Sequence, residues 1–264
     1  MILTWWQGLI LGLVQGLTEF LPVSSSGHLV LAEHIVGYKP PGVFFEVAVH
    51  VATLISVVVV YRRRIVQLIS GLLTGQLAAW RYAGLLIIAS IPAAVAGIAL
   101  KNYFEASFHS MPALGWQFLI TALVLWSTKY ALPRATGREV TLPQSMLIGI
   151  GQAIAIVPAI SRSGTTIAAA LWSGLDAEVA AEFSFMLSII VIAGSGLLEA
   201  RHIPPGEQGL SLGLLCAFVA AAASGLFAIR FLVSLLKHKK FHLFAPYCAA
   251  LGVLCLIWFG LLGK

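Results

Sequence analysis

The stretch QGLTEFLPVSSSGH, residues 15–28, places a carboxylate, an imidazole and three consecutive serines within an otherwise apolar sequence. Pro22 interrupts this stretch, because proline lacks the backbone N–H that a helix interior needs. Charged groups at membrane depth cost about 2.5–3.5 kcal/mol each on insertion scales, so they usually mark functional sites. The stretch therefore predicts a helix that breaks at Pro22 and displays polar groups at the break.

The composition of the whole chain is that of a membrane protein. Its 264 residues are 59% hydrophobic and 10% charged, whereas a soluble domain carries about 25% charged residues. The N-terminal segment lacks the basic start and the small-residue cleavage site of a secretory signal. Three cysteines in apolar segments, without the spacing of disulfide or zinc ligands, are interpreted as packing residues: Cys216, Cys248 and Cys255.

Six stretches are apolar enough to cross a bilayer, which takes about 20 residues. They are residues 44–61, 82–100, 114–132, 178–198, 210–236 and 243–262. Two further apolar regions, 2–36 and 144–174, are each interrupted at the centre by proline and a Ser/Gly cluster. The sequence therefore predicts an all-α polytopic membrane protein with about six transmembrane helices and two re-entrant helical hairpins.

Lysine and arginine in the short loops predict the orientation of the chain. With alternate crossings, one side receives Arg62, Arg63, Arg64, Arg81, Lys129, Arg134, Arg138, Lys237, Lys239 and Lys240. The other side receives Lys39, Lys101, Arg201 and Lys264. Because cytoplasmic loops carry the excess of basic residues, we expect the first side to be cytoplasmic. The net charge of +6 then reflects topology, and no nucleic-acid partner is expected.

The second interruption, QAIAIVPAISRSGT at residues 152–165, repeats the pattern of the first. With Gln15 placed on Gln152, serines align with serines at two positions, and Ser25 aligns with Arg162. We divide the single membrane domain into repeats 1–110 and 111–264, whose hairpins enter from opposite faces. Such inverted repeats place a site where the broken helices converge. Two ordinary kinked spans are the simpler alternative, but a kink does not require serines in both interruptions.

The residue types at the two interruptions suit phosphate chemistry. Arg162 has no carboxylate nearby in sequence, so its expected partner is Glu19 or an anionic ligand. New helix N-termini, serine hydroxyls and a guanidinium together can hold a phosphate. A serine near a histidine and a glutamate could act as a nucleophile with acid–base assistance. The residues therefore predict an anion site, embedded in the membrane, with hydrolytic groups beside it.

Structural roles are the alternatives for the same residues. Ser24 to Ser26 could cap a helix, His28 could be a hydrogen-bonded interior histidine, and Glu19 could pair with Arg162 in the resting protein. His50 is a weaker site candidate. Close helix packing is the better explanation of three glycines spaced i, i+4 and i+8: Gly8, Gly12 and Gly16.

Two motifs give the chain a resemblance to the undecaprenyl-pyrophosphate phosphatases of the bacitracin-resistance type. They are the segment from Gln15 to His28 and PAISRSGTT at residues 158–166, and the resemblance covers the whole chain. It implies removal of the terminal phosphate from a C55 isoprenoid diphosphate, which yields the lipid carrier of cell-wall synthesis. It also implies an active site on the outer, periplasmic side of the bacterial inner membrane and a divalent cation, Mg²⁺ or Ca²⁺.

The resemblance further implies roles for individual residues. Ser25 resembles the nucleophile, with His28 as the alternative. Glu19 and His28 resemble acid–base and orienting groups, and Arg162 would neutralise phosphate charge. Glu19 is also the candidate metal ligand. The substrate-binding set comprises Gln15, Ser24, Ser26, Ser161, Ser163 and Thr166. Ala159 stands where the family has glycine, and its Cβ could restrict a positive φ.

Two other function classes stay open beside the phosphatase. A transporter or flippase of the polyprenyl phosphate carrier would use the same groups for binding alone, although transport needs no nucleophile. A structural membrane subunit would not require two matched interruptions with charged residues at depth. The oligomeric state, including a homodimer, and the preferred isoprenoid chain length also stay open.

Overall fold

A computed structural model describes residues 3–40, 43–100, 111–200 and 211–261, and within these it is helical. The described residues form ten α-helices, which are α1 Trp5–Phe20, α2 Ser25–Val36, α3 Phe44–Leu73, α4 Leu77–Ala99, α5 Met111–Ala131, α6 Leu142–Ile154, α7 Arg162–Trp172, α8 Ala177–Ala200, α9 Leu212–Lys237 and α10 Ala245–Cys255. A 3₁₀ turn, Phe241–Phe244, precedes α10, and a π-helical turn, Leu256–Leu261, follows it. The predicted all-α fold is confirmed.

Six helical segments in the described residues are long and apolar enough to cross a membrane. They are Phe44–Leu73, Leu77–Ala99, Met111–Ala131, Ala177–Glu199, Leu212–Lys237 and Phe241–Gly260. The six predicted spans are therefore confirmed, with one difference in length. The first was expected to end at residue 61, but α3 bends at Tyr61 and continues to Leu73. Arginine has a high helix propensity, so the basic run after Tyr61 does not end the helix.

The helices at the two interruptions are too short to cross a bilayer. They contain 16 and 12 residues in α1 and α2, and 13 and 11 in α6 and α7. At 1.5 Å per residue each is about 16–24 Å long, against a hydrocarbon core of about 30 Å. α1 contacts α2, and α6 contacts α7. These dimensions support the prediction of two re-entrant hairpins, at 2–36 and 144–174.

The first helix of each hairpin packs against a long helix of the other predicted repeat. α1 lies along α9, and α6 lies along α4. A Cβ built on Gly12 would lie 2.2 Å from the Ala217 oxygen, and one built on Gly149 would lie 2.6 Å from the Ala89 oxygen. The interpretation of the α1 glycines as close helix packing is therefore confirmed. The repeat boundaries at 1–110 and 111–264 stay a prediction, and Lys101, Arg201 and Lys264 lie outside the described residues.

The crosswise packing brings the two interruptions into contact. Ser163 Oγ donates to the Leu21 oxygen, 3.3 Å away. A Cβ built on Gly27 of α2 would lie 2.8 Å from Ala159 Cβ, so only glycine fits at this contact. The N-termini of α2 and α7 therefore lie side by side.

Candidate active site

The carboxylate of Glu19 is the centre of the site. Its side chain is 3% exposed, and Arg162 Nη2 donates to its Oε1 atom. Ser25 Oγ donates to Oε2 over 2.5 Å, and Gln15 Nε2 donates to the same oxygen over 3.0 Å. The structure thus contains the Glu19–Arg162 pair that the sequence suggested, with Ser25 attached to the same carboxylate.

These contacts explain how a charged group can be buried at this position. An unpaired buried carboxylate is very costly, whereas a pair with further hydrogen bonds is tolerated. Arg162 balances the charge of Glu19, and two further donors occupy the second carboxylate oxygen. His50 Nε2 lies 3.7 Å from Glu19 Oε2, and its Nδ1 contacts the Glu46 carbonyl oxygen at 2.7 Å. The surroundings therefore favour ionised Glu19.

Both new helices begin with a serine cap. Ser24 Oγ accepts from Gly27 N over 3.4 Å, and Ser161 Oγ accepts from Gly164 N over 3.0 Å. In each case a second serine hydroxyl, two residues later, lies 3.3 Å from the capping oxygen. The capping role considered for Ser24 to Ser26 is confirmed at Ser24, and Ser161 caps α7 in the same way. Each cap satisfies one otherwise unpaired N–H of its helix.

Each interruption also contains a residue other than glycine with a positive φ. The values are 70° at Ser24 and 55° at Ala159, in a region that residues with a Cβ rarely occupy. The Ala159 carbonyl accepts from Thr121 Oγ1 over 2.9 Å, and Ser161 N donates to the same hydroxyl over 3.2 Å. The positive φ suspected at Ala159 is therefore present, and Thr121 of α5 holds the backbone around it.

A cavity of about 270 Å³ opens onto this cluster. Its polar wall contains Glu19, Arg162, Ser161 and the three serines at 24–26. Its other wall is largely apolar and comprises Ala93, Ala155, Ile156, Ile160, Val191 and Ile192. A larger cavity of about 710 Å³ lies around Arg64 and Glu182, but it includes none of the predicted site residues. The smaller cavity is therefore the candidate active site, and its two walls suit an amphipathic ligand.

Three predicted binding residues do not line this cavity. Gln15 lies behind Glu19 and supports it. Ser163 bonds to the Leu21 oxygen of the other interruption, and Thr166 Oγ1 lies 2.7 Å from Ser184 Oγ of α8. Their substrate-binding roles stay predictions, because the contacts described for them position other parts of the site.

His28 also faces away from the carboxylate. Its Nδ1 lies 2.7 Å from the Ser24 carbonyl oxygen, and its Nε2 lies 2.7 Å from the Tyr247 hydroxyl. The ring stacks on Tyr247 and meets Phe118 edge to face. Both ring nitrogens therefore have partners other than Ser25 and Glu19, and the acid–base role of His28 stays a prediction.

Several residues that the sequence did not assign to the site also lie there. His50, named above only as a weaker candidate, and Gln152 line the cavity with Ser195. Gln152 aligns with Gln15 in the repeat, and that alignment was the available signal for it. Ser195 and Tyr247 carry no local sequence signal.

Comparison with known proteins identifies the family. The profile of one family, Bacitracin resistance protein BacA, matches residues 8–254 of this chain. The undecaprenyl-diphosphatase of Carboxydothermus hydrogenoformans is 40% identical, over 95% of this chain and 96% of that protein. The undecaprenyl-diphosphatase of Desulforapulum autotrophicum is 38% identical, over 96% of this chain and 97% of that protein. With the fold and the Glu19–Ser25–Arg162 cluster, these similarities show that the chain belongs to the bacitracin resistance protein BacA family.

Proposed function

We propose that this chain is an undecaprenyl-diphosphate phosphatase. It hydrolyses undecaprenyl diphosphate to undecaprenyl phosphate and inorganic phosphate, recycles the lipid carrier for cell-wall synthesis, and thereby confers bacitracin resistance. One observation carries the proposal: Ser25 Oγ lies 2.5 Å from a buried carboxylate that also binds Arg162. The relatives named above, both undecaprenyl-diphosphatases, support it.

The first chemical step uses Ser25 as the nucleophile. Ser25 Oγ attacks the β-phosphorus, its proton passes to Glu19 Oε2, and the bond from phosphorus to the bridging oxygen breaks. Undecaprenyl phosphate leaves, and the phosphoryl group stays on Ser25. The short bond between Ser25 and Glu19 provides the path for the proton.

The second step regenerates the enzyme. Water attacks the phosphoserine, Ser25 Oγ leaves with the proton held by Glu19, and both protons of the water depart with the inorganic phosphate. Glu19 returns to the carboxylate form, so the protons and charges balance over the cycle. The same carboxylate thus acts as base and then as acid.

Arg162 supplies the charge that the phosphoryl group needs. A guanidinium has five N–H donors, and the bond to Glu19 uses one nitrogen, Nη2. Its side chain is 20% exposed and lines the cavity, so it can bind phosphate oxygens from the position it already occupies. Preorganised positive charge at the transferring group stabilises the transition state.

The oxygen donors beside Glu19 suit a divalent cation. Among the described residues, the buried Oε1 atoms of Gln15 and Gln152 have no hydrogen-bond partner, and Mg²⁺ and Ca²⁺ prefer oxygen ligands. No group of three His, Cys, Asp or Glu residues that could hold a metal lies in the described parts of the chain. Glu19 and Gln152, which both line the cavity, would therefore hold the ion together with substrate oxygens. The bound ion would neutralise diphosphate charge.

We further propose that the protein lies in the bacterial inner membrane with this cavity open to the periplasmic side. The ten-to-four distribution of loop cations supports an outer location for the side that contains Lys39, and His50, near the adjoining end of α3, lines the cavity. The cavity has a polar wall for the diphosphate and an apolar wall for the first isoprene units, as a lipid substrate requires.

Phosphate release from undecaprenyl or farnesyl diphosphate by the purified protein, with Mg²⁺ or Ca²⁺ supplied, tests the proposed function. The expected result is stoichiometric inorganic phosphate and polyprenyl monophosphate. No release, together with measured translocation of the lipid in vesicles, would contradict the phosphatase and favour a transporter.

A further inference from the structure

Ser24 has a backbone conformation that needs support from its surroundings. Its φ is 70° and its ψ is 105°, outside the regions that residues with a Cβ favour. Such conformations persist at functional sites only when neighbouring groups hold them. The residue immediately after Ser24 is Ser25, so the direction of the Ser24 peptide determines where the Ser25 hydroxyl points.

A hydrogen-bonded chain from α10 reaches this peptide. The Ser24 carbonyl can only accept, so His28 Nδ1, 2.7 Å away, carries the proton of that bond. In the neutral ring Nε2 is then the acceptor, and the Tyr247 hydroxyl donates to it over 2.7 Å. The order of donors is thus Tyr247 to His28 to Ser24.

The aromatic surroundings fix the orientation of the imidazole. Its ring stacks on Tyr247 with centroids 5.7 Å apart and planes 10° apart. Phe118 meets it edge to face at 5.4 Å and 86°. Phe118 Cζ would also lie 2.6 Å from a Cβ built on Gly27, so α2 and α5 are in close contact here. The ring has little room to rotate toward Glu19.

We infer that His28 and Tyr247 are positioning residues, which hold the Ser24 carbonyl so that Ser25 faces Glu19. The inference rests on the proposed function. The other interruption has a parallel arrangement, because Thr121 Oγ1 donates to the carbonyl of Ala159, which also has a positive φ. A side chain thus holds the strained carbonyl in each interruption. In the first interruption the Ser24 carbonyl also accepts from His28 N over 3.2 Å, and the side-chain support comes through two residues, with Tyr247 lying 219 positions from His28 in sequence.

Two substitutions of His28 separate positioning from acid–base chemistry. The amide nitrogen of asparagine lies near the position of Nδ1, so His28→Asn keeps a donor for Ser24. The amide of glutamine lies near the position of Nε2, so His28→Gln does not. We expect H28N to retain kcat within about tenfold of wild type, while H28Q loses about 100-fold at similar KM. The matched control is H34Q, at an exposed position of the same helix, with wild-type kcat.

Removal of the Tyr247 hydroxyl tests the outer bond alone. Y247F keeps the stacked ring and is expected to lower kcat about 3- to 10-fold, the effect of one hydrogen bond. Y130F, at an exposed tyrosine of α5, should behave as wild type. If H28N were as inactive as H28Q, or if H28Q and Y247F both kept wild-type kcat, the positioning role would be overturned.

A spectroscopic measurement tests the same bonds without turnover. Imidazole ¹⁵N spectra of histidine-labelled protein, with H28N used to assign the signal, are expected to show His28 protonated at Nδ1 and unprotonated at Nε2. In Y247F the Nε2 resonance should shift as its donor is lost. The opposite tautomer would overturn the inference. Absence of phosphate release by the wild-type protein would instead contradict the proposed function and leave this spectroscopic result to decide the inference.

Discussion

The two interruptions of the chain share a serine cap and differ in backbone and in chemistry. Ser24 both caps α2 and has a positive φ, whereas in the second interruption Ala159 has the positive φ and Ser161, at a φ of −68°, is the cap. The first residue of the capped helix differs: it is Ser25 in α2 and Arg162 in α7. Both side chains bond to Glu19. A repeated loop can thus supply a nucleophile on one side of a site and a cation on the other.

The supports of the two interruptions differ as well. Thr121 contacts the second interruption directly, accepting from Ser161 N and donating to the Ala159 carbonyl. The first interruption is reached through the ring of His28. Loss of the Thr121 contacts is therefore expected to act mainly on the stability of the protein. Loss of the His28 contacts is expected to act mainly on the rate of the reaction.

The largest expected effect comes from the position where the two interruptions differ. Ser25→Ala removes the hydroxyl that bonds to the Glu19 base and should lower kcat by at least about 10³-fold, because the neighbouring hydroxyls of Ser24 and Ser26 bond to each other instead. Phosphate release from farnesyl diphosphate measures it. Ser234→Ala, at an exposed serine of α9, is the control and should keep wild-type turnover. Substantial turnover by S25A would show that Ser25 is not the nucleophile.

Removal of the cation tests the other side of the same carboxylate. Arg162→Met leaves Glu19 buried and unpaired, which should cost about 3–5 kcal/mol of unfolding free energy and lower kcat by about 10²-fold or more. The double variant E19Q/R162M should recover most of the stability, because no charge is then left unpaired, but none of the activity. Unfolding in mixed micelles and phosphate release are the two measurements. Equal stability of R162M and wild type would contradict the pairing.

The direct support of the second interruption gives a smaller effect. Thr121→Val keeps the shape of the side chain but leaves the Ala159 carbonyl and Ser161 N without their partner. The expected loss is about 1–3 kcal/mol of unfolding free energy. Thr121→Ser keeps the hydroxyl and should recover most of it. If T121S were as unstable as T121V, packing of the Thr121 methyl would be the explanation instead.

The smallest effect is expected at Ala159 itself. Glycine would relieve about 1–2 kcal/mol of left-handed strain, but it adds about 0.4–1 kcal/mol of entropy to the unfolded chain and removes a buried methyl worth about 0.8 kcal/mol. A159G should therefore change the unfolding free energy by less than about 1 kcal/mol. Ala94→Gly, at an exposed position of α4, should lose about 1 kcal/mol. A large gain in the unfolding free energy of A159G would show that the left-handed conformation of Ala159 destabilises the protein.

The sequence predicted those features that depend on local pattern or on charge at depth. The six spans followed from apolar length, the cap at Ser24 followed from serine after a break, and the Glu19–Arg162 pair followed from two buried charges without local partners. The length of α3 was underestimated, because a basic run ends an apolar stretch without ending a helix. The supports from Thr121 and Tyr247 depend on contacts between distant helices, and an isolated polar side chain in an apolar span does not indicate its partner.

The most direct test of the account is to trap the covalent intermediate. Purified protein would be mixed with a polyprenyl diphosphate labelled at the β-phosphorus, quenched within milliseconds, and the labelled peptide sequenced. Acid-stable phosphoserine at Ser25 is expected in the wild-type protein and is expected to be absent in S25A. Label on His28, or rapid phosphate release without any covalent label, would contradict it.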